Sequence, residues 1–252
     1  MKGVVLAGGL GTRLLPLTRV TNKHLLPVHR KPMIFYPIEA LAGAGVDEIM
    51  IVTGGNNAGD FLRLLQDGRE FGLSHLNFTY QEGEGGIADA LLLAEDFADG
   101  EKICVVLGDN IIERHIRGPV GEFFTQPSGG KILLKEVPDP ERFGVPRFED
   151  GRVVEIIEKP EDPPSNFAVT GIYMYDNNVF DICRTLKPSG RGELEITDVN
   201  NEYILRGDLT ASTLHGWWTD AGTFESLYRA SRLVAEGGAN LIDEPQGETR
   251  AA

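Results

Sequence analysis

Gly8, Gly9 and Gly11 follow an apolar run, and Arg13 and Lys23 come soon after, ten residues apart. A glycine turn of this kind lets backbone N–H groups close on an anion, because no Cβ intervenes and positive φ is accessible. Phosphate is the anion that suits it best. The lysine-bearing phosphate loop is excluded, since no Gly-Lys-Ser/Thr follows. The dinucleotide fingerprint could start at Gly9 and Gly11, but Leu14 occupies its third glycine position and is too large for close helix packing. Lys23 sits in "TNKHLLPV", so its stem packs on Leu25, Leu26 and Pro27 while its ammonium points at whatever the loop holds. Asp109 ends "ICVVLGD" and Asp220 stands in "GWWTDAGT". Each could cap a turn, yet two carboxylates completed by phosphate oxygens is a set that Mg²⁺ accepts. Brought together, they would repel one another unless a cation lay between them. Glu158 and Lys159, in "EKP", offer an acceptor and a cation suited to a sugar hydroxyl and a phosphate.

Other chemistry-bearing types read as structural. Glu193 and Glu195 look like capping acids at a helix start, and Trp217 and Trp218 look like core aromatics. The five histidines show no metal spacing, no Ser-His-Asp arrangement is suggested, and Cys104 and Cys183 read as reduced, structural thiols.

Positioning these residues falls to alternating strands and helices. Strands are expected at 3–7, 48–53, 77–81 and 102–109, with helices near 35–44, 58–66 and 87–96. Strands apolar on both faces and separated by helices imply a parallel sheet covered on both sides, with ligands at the carboxyl ends of the strands. After residue 128 shorter strands, "GKILLKEV", "GVPRFED", "VVEIIEKP" and "FAVTGIYMYD", suggest an antiparallel or mixed extension of the same sheet. Helices near 195–206 and 223–236 flank the strand-like "ASTLHGWWTD". The fold class is therefore α/β, a three-layer Rossmann-like fold in one domain over 1–240. Its first part (1–128) carries the glycine loop and its second (129–240) carries "EKP", and the polar tail from Gly237, 241–252 above all, is expected to be frayed.

The bulk numbers narrow the partners. With 24 basic and 38 acidic residues the net charge is −14, which repels nucleic acid and anionic lipid. Any phosphate site must then carry its own local positive charge. No signal-like segment or 18-residue apolar stretch occurs, so a soluble, cytoplasmic protein is expected. Separately, a homo-oligomer is expected.

The motifs "LAGGLGTRL", "NKHLLPV", "KPMIFYP", "LGDNI", "DPERFGV", "EKP", "AVTGIYMYD", "RGELEITD" and "WWTDAGT", spread over residues 1 to about 236, together resemble the sugar-phosphate nucleotidyltransferases, in their thymidylyltransferase branch. The resemblance implies in-line attack of glucose 1-phosphate on the α-phosphorus of dTTP, giving dTDP-glucose and pyrophosphate with Mg²⁺ as cofactor. That fits a chain without a credible nucleophile. Carried over by position, Gly8, Gly9 and Gly11 would cradle the triphosphate with Leu6, Thr12 and His24 beside them, and Gln81 and Gly86 would read thymine. Arg13 and Lys23 would stabilise the leaving pyrophosphate, and Asp109 and Asp220 would hold the metal. On the sugar side, Gly144 and Gly171 would offer backbone groups to the hexose, near Asn110, Val169 and Trp218. Glu158 would accept from its hydroxyls and Lys159 would meet its phosphate.

Two departures lie near the base: Asp89 in "GIADA" stands where the family commonly has glutamine, and His24 takes another frequent glutamine position. Longer members continue with helices that help form a regulatory nucleotide site, so feedback through such a site is left open. A uridylyl- or cytidylyltransferase and a catalytically silent nucleotide-sugar sensor are the rival readings. Against the sensor stand Arg13, Lys23, Asp109, Lys159 and Asp220, all retained.

Overall fold

The computed structural model of the chain describes residues 1–242. Its elements in chain order are β1 (Lys2–Ala7), β2 (Pro27–Val28), β3 (Lys31–Pro32), α1 (Phe35–Gly43), β4 (Glu48–Gly54), α2 (Ala58–Leu65), β5 (His75–Gln81), α3 (Ile87–Leu92), α4 (Glu95–Ala98), β6 (Ile103–Leu107) and β7 (Asn110–Ile112). Then follow α5 (Arg117–Thr125), β8 (Gly130–Glu136), β9 (Gly144–Glu149), β10 (Arg152–Glu158), β11 (Phe167–Tyr175), α6 (Val179–Thr185), α7 (Ile196–Leu205), β12 (Leu209–Thr213), β13 (Trp218–Asp220) and α8 (Phe224–Gly237). None of the described helices is long and apolar enough to cross a membrane.

Seven strands form one sheet in the order β12-β8-β11-β6-β1-β4-β5. Only β11 runs against its neighbours. Alternation along β1 shows why both faces are covered: Val5 and Ala7 enter the core on one side with Ile38, Leu41 and Phe61, while Val4 and Leu6 enter the other with Ala88, Tyr175 and Val199. A side chain the size of Val or Leu contributes about 1.5–3 kcal/mol when fully buried, so burial on both faces holds the strand at the centre of the sheet. Mostly parallel, helix-covered and α/β, the architecture is the expected one.

Several local expectations are corrected. The 87–96 helix is two pieces, because the N–H of Ala94 takes the carbonyl of Leu91, a tightened turn that ends α3 before α4 begins. The strand-like "ASTLHGWWTD" is also two pieces: β12 lies on the sheet edge beside β8, and β13 leaves the sheet to pair with β7. The extension after residue 128 splits as well, with β8, β11 and β12 joining the main sheet and β9 and β10 forming their own hairpin. The start of the polar tail is tied down, since Asn240 donates from its backbone to Ile112, and Leu241 bonds Glu113 and His115. Residues 243–252, the rest of that tail, lie outside the described residues.

Candidate active site

A turn in strand order sets the place of the site. From β1 the chain builds outward through β4 and β5, then returns to lay β6 on the other flank of β1. The crevice at such a reversal, beyond the carboxyl ends of the strands, is where open α/β sheets bind ligands. The glycine loop leaves β1 there and Gly108-Asp109 leaves β6 beside it, joined by a hydrogen bond from the Gly108 N–H to the Leu6 carbonyl at 2.8 Å.

The loop is shaped locally. Gly11 has φ +63° and precedes a short 3₁₀ turn, Thr12–Leu14. An added Cβ would lie 3.0 Å from Thr18 and 3.1 Å from Lys23, so glycine is required on two counts. The Thr18 hydroxyl closes the turn by donating to the Gly11 carbonyl. Leu14 is fully buried and anchors the segment, which explains a large side chain where a dinucleotide loop needs glycine. Further on, Asn22 accepts the backbone N–H of His24 and donates to the Ala7 carbonyl, tying the Lys23 turn to the end of β1.

These segments open onto a cleft of about 760 Å³ that is lined by every residue singled out for binding or chemistry in the sequence. Leu6, Gly8, Gly9, Gly11, Thr12, Arg13, Lys23, His24, Gln81 and Gly86 line it together with Asn110, Gly144, Glu158, Lys159, Val169, Gly171 and Trp218, and with Asp109 and Asp220. Sequence reasoning missed Arg142, Tyr173, Arg191, Thr197 and Asn200, which line it too. Arg142 stands inside the quoted "DPERFGV", so its place in a motif was the available signal. The lining carries five basic residues (Arg13, Lys23, Arg142, Lys159 and Arg191) and five acidic ones (Glu84, Asp109, Glu158, Glu193 and Asp220). On a chain of net charge −14, that lining is neutral rather than acidic, and its five cations are the local positive groups a phosphate site needs.

The two aspartates meet through strand pairing. Asp220 pairs in register with Asn110 across β13 and β7, and the Ala221 N–H donates to the Asp109 carbonyl. Cations stand beside both carboxylates: Lys23 Nζ is 2.6 Å from Asp109 Oδ2, and Arg142 lies 3.6 Å from Asp220 Oδ1. Burial would raise the Asp109 carboxyl, but Lys23 and the hydrogen bonds from Lys23 and Asn110 hold it well below the usual range. Asp220 goes the other way, raised by burial and by Asp109 despite Arg142 and Arg13. Its Oδ1 is buried without a hydrogen bond. An orphaned carboxylate oxygen next to a second, ionised carboxylate fits a divalent cation, and Mg²⁺ needs no third acid. No group of three or more His, Cys, Asp or Glu suited to a metal occurs among the described residues.

Asn110 organises the wall beside the two aspartates. Its Oδ1 accepts from the Gly171 N–H at 2.9 Å and from Trp218 Nε1 at 2.7 Å, while its Nδ2 donates to Asp109. A Cβ on Gly171 would lie 2.5 Å from that amide, so only glycine fits. The Gly171 N–H is therefore already taken. Trp218 is buried against Phe143 as well as lining the cleft.

Glu158 accepts from Thr197 and lies 3.2 Å from Lys159 Nζ. Lys159 takes φ +46°, a conformation costly for a lysine and typical of functional sites. The capping expectation for Glu193 and Glu195 does not hold: α7 has no side-chain cap, and the Glu195 carboxylate instead accepts from Arg191 and Ser189. Arg191 is a better partner than a backbone N–H because its guanidinium offers several charged donors to one carboxylate.

His24 is buried, its ring 2.8 Å from Asn22 Oδ1. Burial first, then Lys23, push its pKa down to about 3 from 6.5, against a smaller opposite pull from Asp109. Between those two values the unfolded chain takes up a proton that the native chain refuses, so stability falls as pH drops through this window. The slope from this residue is at most about 1.4 kcal/mol per pH unit. His24→Gln is expected to flatten that part of the profile in urea unfolding, and unchanged profiles would mean that the ring is protonated in the fold.

The fold, the glycine loop and the paired aspartates define a nucleotidyl transferase: the Nucleotidyl transferase family model matches residues 2–237, and the chain belongs to that family. Similar proteins carry a more particular name. The glucose-1-phosphate thymidylyltransferase of Neisseria meningitidis serogroup A is 44% identical over 245 residues, covering 93% of this chain and 82% of its own. A crystal structure from Bacillus anthracis, assigned to a glucose-1-phosphate thymidylyltransferase and holding sucrose, has a TM-score of 0.89 and 50% identity over 98% of both chains. More distant is a UDP-glucose pyrophosphorylase solved with UDP-glucose, with a TM-score of 0.83 and 27% identity over 93% of this chain and 98% of its own.

Proposed function

We propose that the chain transfers the thymidylyl group of dTTP to glucose 1-phosphate, releasing pyrophosphate and dTDP-glucose. The observation that carries this reading is the single cleft in which the glycine loop and Gln81 lie with Asp109 and Asp220 and with Glu158 and Lys159. The name that similar proteins carry supports the choice of substrates. Gly8, Gly9 and Gly11 cradle the triphosphate, with Leu6, Thr12 and His24 lining the seat, and Gln81 and Gly86 face the base. Arg13 and Lys23 neutralise charge on the departing pyrophosphate. Lys159 holds the sugar's phosphate, and Glu158, Asn110, Gly144, Val169, Gly171 and Trp218 shape the hexose seat. Of Gly171 only the carbonyl serves there, because its N–H is bonded to Asn110. Asp109 and Asp220 would hold Mg²⁺, which when bound supplies neutralisation of phosphate oxygens and a fixed geometry for them.

Residues 1–128 then form the nucleotide half and 129–240 the sugar half of one domain. A cytoplasmic, homo-oligomeric enzyme belongs to the same reading.

A pyrophosphate-release assay over nucleoside triphosphates and sugar 1-phosphates tests the reading. dTTP with glucose 1-phosphate is expected to be the best pair. UTP lacks only a methyl group and should be weaker by about 10 to 200-fold at most. A preference for CTP or ATP would overturn the assignment.

A further inference from the structure

We infer that Asp89 is a positioning residue for base selection: it fixes which side of the Gln81 amide faces the cleft, and so decides that the base meets a hydrogen-bond acceptor. Gln81 ends β5, is buried and lines the cleft, whereas Asp89, in the first turn of α3, is not among the lining residues. The Gln81 Nε2 donates to Asp89 Oδ2 at 2.7 Å and to the Gly86 carbonyl at 3.1 Å. A carboxylate and a backbone carbonyl can only accept, so the amide nitrogen must stay on their side with both N–H groups used. The oxygen must then face the other way. It does: an ideal Cβ on Gly8 would lie 2.9 Å from Gln81 Oε1, which places that acceptor against the glycine loop.

The clamp cannot easily slacken. Gly85 packs so closely on Asp89 that a Cβ there would lie 2.4 Å from Oδ2, and the Gly85 carbonyl is held by the Leu194 N–H at 2.8 Å. The Ala88 N–H is bonded in turn to the Leu194 carbonyl, which pins the loop and the start of α3 to the same segment. An exposed acid in a first helical turn would merely favour the helix dipole. This one instead spends its oxygen on a buried side chain.

Thymine and uracil present N3–H, a donor, to such an acceptor. Cytosine presents N3 as a bare acceptor at the same place, so two lone pairs face each other and neither is satisfied. Buried polar groups that are built to pair with a donor reject an analogue lacking it far more strongly than an apolar wall rejects a missing methyl. Asp89 thus separates thymine and uracil from cytosine, and has no part in separating thymine from uracil.

This inference rests on the thymidylyl reading above, and the test keeps the two apart. kcat/KM is measured for dTTP and for dCTP, each with glucose 1-phosphate, in the wild type and in Asp89→Asn and Asp89→Ala. Asn is nearly isosteric and can face Gln81 with its nitrogen, which removes the nearer of the two acceptors holding the amide and leaves only the Gly86 carbonyl to oppose its turning over, without emptying the site. The dTTP/dCTP ratio is expected to fall by about 10-fold or more in both variants, and to be insensitive to Asp89→Asn once Gln81→Ala is present. Variants that lose activity equally on both nucleotides would overturn the inference while leaving the thymidylyl reading intact, because a structural role lowers both rates alike. A wild type that prefers dCTP would overturn the thymidylyl reading and the inference together.

Discussion

Asp109→Asn is expected to lower turnover by about 100 to 1,000-fold or more, the range seen when a preorganised charge stabiliser is removed. The residue sits where three demands converge: its carboxylate is 2.6 Å from Lys23, accepts from Asn110, and stands beside the orphaned oxygen of Asp220. Two opposed effects decide the stability of this variant. Losing the charge relieves Asp220, whose carboxyl Asp109 helps to raise. It also strips Lys23 of its counter-ion, and the Lys23 side chain is only 15% exposed. The direct ion pair wins over the more distant repulsion, so Asp109→Asn should lose about 1–3 kcal/mol of folding free energy. Steady-state kinetics and urea unfolding of the same sample check both parts, and near-native turnover would remove Asp109 from the chemistry.

Arg13→Ala is expected to fold like the wild type and to lose about 100 to 1,000-fold in kcat. Its side chain is exposed and lines the cleft just past the glycine loop. Gly222 leaves it room, since an added Cβ there would lie 3.1 Å from the Arg13 guanidinium and 3.3 Å from Asp220. A cation so placed, near Asp220 at the cleft wall rather than in the core, can meet developing negative charge. The kinetic split is diagnostic: a rise in KM with kcat unchanged would make Arg13 a binding residue only.

Much of this was legible in the sequence because it rests on short-range signals. The apolar β1 run, the glycine turn and the motifs at strand ends each place their own residues at one end of a parallel sheet, and the sheet does the rest. What stayed hidden depends on pairing across long stretches of chain. The Lys23–Asp109 contact joins residues 86 apart, and Trp218 reaches Asn110 across 108. From spacing alone Lys23 pointed at a phosphate, and nothing local revealed that a carboxylate would be its partner. Glu195 misled for a different, local reason, since its position before a helix favours capping while Arg191, four residues earlier, outbids a backbone N–H for it. The division of "ASTLHGWWTD" also escaped, because its pattern suits a strand throughout and only the pairing of β13 with β7 takes its end away from the sheet.

The central claim is that one cleft joins the two substrates directly, with no nucleotide held covalently by the protein. Exchange of labelled pyrophosphate into dTTP, measured with and without glucose 1-phosphate, tests it most directly. Direct displacement predicts exchange only when the sugar phosphate is present, accompanied by dTDP-glucose. Exchange in its absence would demand a covalent nucleotidyl-protein intermediate and contradict the account.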